Sequence, residues 1–104
     1  MTITIAVTSR VCPVQLQGLV DDQRFYFRAR GCRWSFAIHP ENPVRASMYG
    51  GGWRVKGDWN SDRVLAGWMP IPVARAIVLD CCRLWRLAQQ QLAEYEATTS
   101  EHAT

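Results

Sequence analysis

No apolar run in this sequence approaches the roughly 18 residues needed to cross a bilayer. Residues 1–7 are too short for a signal peptide and lack its basic start. A cytoplasmic protein with no membrane partner is therefore expected, and its four cysteines (Cys12, Cys32, Cys81 and Cys82) should be reduced. Neighbouring Cys81 and Cys82 would point in different directions on a helix and would not pair with each other. There is no Cys-x-x-Cys pair, so a zinc site would need ligands converging from distant positions, and buried cysteines serve commonly as small apolar side chains. Histidine is limited to His39 and His102. No Gly-x-Ser-x-Gly elbow or zincin helix motif accompanies either one. Gly50, Gly51 and Gly52 lack the Lys-Ser/Thr that completes a phosphate-binding loop. These absences point away from an enzyme, a resident cofactor and a bound metal.

Lysine is almost missing. Of the 12 basic residues, Lys56 is the only one that is not arginine. Arginine suits planar, hydrogen-bonded recognition and interface cores, although a GC-rich coding bias gives the same skew. Acid is also unevenly placed. Glu94, Glu96 and Glu101 close the chain without a balancing cation, leaving twelve basic against six acidic side chains before them, a net of +6. That excess favours an acidic protein surface or a nucleic-acid backbone as partner, and a small domain also needs some net charge for solubility.

With 104 residues the chain holds one domain, and 48% hydrophobic residues with five tryptophans supply a core. No repeat or low-complexity block divides it. Residues 1–8 alternate Ile3, Ile5 and Val7 with smaller or polar residues, as a strand does. Pro13 interrupts, residues 14–17 alternate again, and Gly18 with Asp21 and Asp22 marks a turn. Residues 24–30 and 33–39 then form two alternating runs joined by Gly31 and Cys32, a connection that fits a type II′ hairpin. Counting outward pairs Ala29 with Trp34, Phe27 with Phe36 and Phe25 with Ile38 on an apolar face. On the other face it pairs Arg30 with Arg33, Arg28 with Ser35, Tyr26 with Ala37, and Arg24 with His39. Residues 40–52 read as a loop, with Pro40, Asn42, Pro43 and the three glycines as breakers. Residues 53–59 alternate once more, Asn60 and Ser61 turn the chain, and residues 63–69 read as a last short strand weakened by Gly67.

From Pro72 to about Tyr95 no breaker intervenes. Ala74, Ile77, Val78, Cys81, Cys82, Trp85, Ala88, Leu92 and Tyr95 recur at helical spacing. Strands followed by one helix predict an α+β domain over residues 1–96, an antiparallel sheet of about four strands in hairpin or meander order packed on one long C-terminal helix. Residues 97–104 are expected to be a disordered tail. The helix should cover Phe25, Phe27, Trp34, Phe36, Trp53 and Val55, leaving the opposite face to solvent.

That opposite face carries the candidate site: Arg24, Tyr26, Arg28, Arg30, Arg33, Arg54 and Lys56 as partner-binding residues. Arg30 opposite Arg33 is a like-charge pair, tolerated because water screens it or because a partner's anions sit between the two. Trp59 and Trp68 are additional candidates for interface anchors. Single-stranded nucleic acid normally needs several exposed aromatics to stack on, and only Tyr26 is offered. A carboxylate-rich protein surface needs only the arginines. A protein partner is therefore the first expectation and a nucleic acid the second. An exposed strand edge leaves a homodimer open as well.

Residues 25–36 (Phe-Tyr-Phe-Arg-Ala-Arg-Gly-Cys-Arg-Trp-Ser-Phe) and 66–70 (Ala-Gly-Trp-Met-Pro) resemble small proteins encoded by phages, prophages and other mobile elements of proteobacteria. The resemblance covers about half of the chain and contains no catalytic motif. It implies a non-enzymatic inhibitor of a host defence complex, of the anti-CRISPR kind, that occludes a surface, for instance on a CRISPR effector subunit. The basic folded part departs from the acidic, DNA-mimicking type of inhibitor.

Overall fold

The structure is a computed structural model that describes residues 2–59 and 65–102. Five strands, one more than the sequence pattern suggests, form a single antiparallel meander: β1 (Ile3–Arg10), β2 (Val14–Val20), β3 (Gln23–Arg30), β4 (Arg33–Ile38) and β5 (Trp53–Asp58). β2 runs through Gly18, so the turn is made by Asp21 and Asp22 alone. Their φ values of 47° and 67° are both left-handed, as a two-residue hairpin turn of type I′ requires. The next hairpin has the expected register at every pair from Phe25–Ile38 to Arg30–Arg33, with Gly31 at φ 63° supplying the turn.

The fold is α+β, with a long C-terminal helix, α2 (Ile71–His102), on one face of the sheet. Pro70 precedes it, and the Pro70 carbonyl accepts from the amides of Val73 and Ala74 at 3.0 and 3.1 Å. Ala74, Val78, Cys81 and Cys82 on α2 meet Val14, Leu16, Val20, Phe25, Phe27, Phe36 and Ile38 of the sheet in one buried core. Within it Phe36 stacks on Phe25 at 5.4 Å and meets Trp53 edge-on at 6.2 Å, geometries that aromatic pairs favour. The helix does not stop near Tyr95. It continues to His102, through the described part of the segment expected to be a tail. The expected strand over residues 63–69 is corrected in its described part: Ala66–Trp68 is a 3₁₀ turn, while the turn at Asn60 and Ser61 and the start of that strand lie outside the described residues.

Two ties hold the helical side to the sheet. At the β1–β2 and β3–β4 turns, Cys12 N–H donates to Gly67 O at 2.7 Å and Ala66 N–H to Gly31 O at 2.6 Å. At the other end, Arg86 of α2 forks onto Asp21 with distances of 2.8 and 2.7 Å. That bidentate bond holds the Asp21 carboxyl below the ordinary aspartate range. A carboxyl whose value is depressed on folding stabilises the fold above its unfolded value of about 3.9, and the contribution disappears as pH falls through the folded value. Asp21→Asn should therefore melt earlier than the native protein at neutral pH. Thermal melts across a pH series should show that gap constant above about pH 5 and closing below about pH 4.

The polar face of the sheet is not open to solvent throughout, contrary to the sequence pattern. A seven-residue helix, α1 (Pro43–Tyr49), folds from the expected loop and packs across β3 and β4. Asn42 caps it by accepting from the Arg45 amide at 3.0 Å, and Pro43 occupies its first turn. His39 sets the approach, its Nδ1 accepting from the amides of Glu41 and Asn42 at 3.1 and 3.0 Å.

Candidate functional site: a basic groove beside α1

α1 rearranges the predicted site. Tyr26 of β3 and Ala37 of β4 are buried on the face that α1 crosses, as is Ala46 of α1 itself, and Tyr26 is only 4% exposed. Burial raises the Tyr26 phenol above its usual value, and the ring packs inside instead of standing on the surface. The expectation of an exposed anchor at Tyr26 fails because the alternation that turned it away from α2 turned it toward α1.

The cations divide as well. Arg24 lies beside Gln17, Leu19, Glu41 and Pro43 in a separate depression, where it donates to the Glu41 carbonyl at 3.4 Å. Arg54 lies against Gly50 at the end of α1. Arg28, Arg30, Arg33 and Lys56 come together around an open groove of about 370 Å³, with Ser35, Ser47, Trp34, Gly57 and Asp58 completing its lining. Three strands place them: the β3–β4 register sets Arg28 opposite Ser35 and Arg30 opposite Arg33, and the β4–β5 register sets Ser35 opposite Lys56. Ser47, from α1, forms a wall that sequence spacing alone did not reveal.

Four cations share this groove with one carboxylate. Arg33 approaches Asp58 at 3.9 Å, but both side chains are more than four-fifths exposed, so the pair contributes little and leaves the charge available. Among the described residues Arg28, Arg30 and Lys56 form no ion pair. Arg28 Nε is buried without a hydrogen-bond partner, an uncommon condition for a group that donates so readily. The opposed pair Arg30 and Arg33 costs roughly 0.2–1 kcal/mol, a repulsion that an anion lying between them removes. Chemically the groove offers guanidinium groups suited to bidentate contact with carboxylate or phosphate oxygens, and two hydroxyls beside them.

No family model, curated protein or solved structure matches this chain.

A small apolar cluster adjoins the groove. The two backbone ties of the 3₁₀ turn bring Trp68 and Leu65, each about 60% exposed (62% and 61%), to the sheet end that carries Val11 and the Arg30–Arg33 turn. Of the two anchors suggested by sequence, Trp68 keeps its indole outside, whereas Trp59 packs half-buried against the core. Cys12 and Cys32 are exposed free thiols at this end. Cys81 and Cys82 are buried, and burial pushes their thiols up to about 12 and about 11, so both stay protonated and serve as packing groups. Among the described residues no group of three or more His, Cys, Asp or Glu is placed to hold a metal ion, and no helix is long and apolar enough to cross a membrane.

Proposed function

We propose that this protein is a non-enzymatic binding module that seats a carboxylate-rich segment of a partner protein in the groove formed by Arg28, Arg30, Arg33 and Lys56. The observation that carries the reading is the convergence of four cations, three of them without an ion pair among the described residues, on one concave surface. Trp68, Leu65 and Val11 at the neighbouring end supply the apolar anchor that a protein interface places beside its arginines. A protein partner is favoured over single-stranded nucleic acid because, with Tyr26 buried, Trp34 is the one aromatic among the groove's lining residues, where stacking normally uses several. Such a module acts by occlusion, which is what the phage-type resemblance implies for an inhibitor of a host defence complex.

Fluorescence polarisation with a labelled glutamate-rich peptide and a labelled single-stranded oligonucleotide tests this reading. The native protein should bind the peptide saturably, and Arg30→Glu/Lys56→Glu should weaken binding about tenfold or more, equivalent to about 1.4 kcal/mol, without changing the circular dichroism. Oligonucleotide binding that falls steeply with salt, with no peptide binding, would transfer the groove to a nucleic acid. Binding of neither probe would remove the groove as a site.

A further inference from the structure

The C-terminal helix is longer than the sheet it covers. α2 has 32 residues, a length of about 48 Å, whereas strands of six to eight residues span about 20–27 Å. The molecule extends 57 Å along its long axis and 25 Å along the other two. Ala74, Val78, Cys81 and Cys82 are buried and Trp85 and Arg86 half-buried, but from Leu87 to Thr98 every residue except half-buried Ala88 is exposed. An unsupported helical extension of this size is marginal in water and gains stability only from packing.

That extension is not uniformly polar. Leu84, Leu87, Leu92 and Tyr95 are each at least half exposed. With Ala88 and Gln91 they fall within an arc of about 140° at 3.6 residues per turn. Charge along the helix is uneven: Arg75, Arg83 and Arg86 lie toward its N-terminal half with Asp80 among them, whereas Glu94 and Glu96 fall at the end of the stripe or beyond. Arg83 and Glu94, eleven residues apart, return to within about 20° of each other and so lie on the same flank.

We propose that this part of α2 pairs antiparallel with α2 of a second copy of the chain. Around a two-fold axis between residues 89 and 90, Leu84 meets Tyr95 of the second copy, Leu87 meets Leu92 and Ala88 meets Gln91, so the stripe is complementary to itself, as an isologous interface demands. The same axis keeps like flanks together and brings Arg83 beside Glu94 of the second copy twice over. Parallel pairing would instead bring opposite flanks together, taking Arg83 away from Glu94 and setting Glu94 near Glu96 of the second copy. The charge pattern thus selects both the occupant and the direction. Arg83 lies 3.2 Å from Asp80 in the single chain, an exposed contact worth too little to compete. This pairing uses no residue of the basic groove, so two grooves would be carried on one dimer.

Sedimentation equilibrium of the full chain from low micromolar to high micromolar concentration decides the matter. The native protein should show the mass of two chains, and Leu84→Glu/Leu92→Glu the mass of one, with the circular dichroism of the sheet retained. Arg83→Glu and Glu94→Arg should each raise the dissociation constant about threefold or more, and the two combined should restore it. A one-chain mass throughout, a dimer unaffected by the leucine pair, or failure of the combined charge swap to restore affinity would each overturn the proposal.

Discussion

Phe36→Ala is expected to destabilise the protein by about 3–5 kcal/mol, the range typical of deleting a fully buried phenylalanine. Phe36 has no exposed surface, and it is the ring that both Phe25 and Trp53 pack against. Its loss leaves a cavity beneath α2 and ends two aromatic contacts together. The neighbours are held by strand register and cannot collapse into the space, which places the expected cost in the upper part of that range. Domains of this size carry only about 5–15 kcal/mol in total, so the variant should be largely unfolded in modest urea. Leu19→Ala, on the opposite face at 41% exposed, is the control and should stay within about 0.5 kcal/mol of the native protein. Equal urea midpoints for Phe36→Ala and the native protein would show that the core is not built around this ring.

Gly18→Ala is expected to be about as damaging through the opposite fault, an excess of atoms. A Cβ on Gly18 would overlap the carbonyl oxygen of Thr4 and press on the Phe25 ring. Thr4 is backbone in the adjoining strand β1, paired in register with β2, so relief requires β1 to move as a unit. Overpacking typically costs 1–3 kcal/mol, and displacement of a whole strand puts this case at about 3 kcal/mol or more. Detaching β1 would also expose β2 as a new sheet edge, so self-association should accompany the loss of stability. Urea denaturation combined with light scattering reads both effects. A native-like midpoint with no scattering would mean that β1 yields at little cost.

The β3–β4 hairpin was legible residue by residue because its two-residue turn leaves one register, and period-two alternation then assigns every side chain to a face. The α2 stripe was legible as a helix for the same kind of reason, but not how far it covers the sheet: Leu92 and Tyr95, the last of its nine apolar positions, are exposed and outside the core. α1 was not legible. Seven residues are too few to establish a period, and Pro40, Asn42, Pro43 and Gly50 resemble loop punctuation. A signal was nevertheless present, because Asn42 followed by Pro43 is a helix cap followed by a first-turn residue. Missing α1 is what misplaced Tyr26 and concealed the separation of Arg24 from the groove. Arg28, Arg30, Arg33 and Lys56 survived as a group because their faces and neighbours follow from strand register, which local sequence fixes, whereas what lies on top of a sheet depends on contacts that only the tertiary fold provides.

The two amides that point at His39 impose a condition on its chemistry. A nitrogen receiving two N–H groups commits its lone pair to them, so Nδ1 serves here as the acceptor. Any event that consumes that lone pair, whether alkylation or a coordinated metal, turns an acceptor away from the start of α1. Ser47 hangs from that same helix, so imidazole chemistry at one margin of the sheet would reach the shape of the basic groove, which His39 does not line.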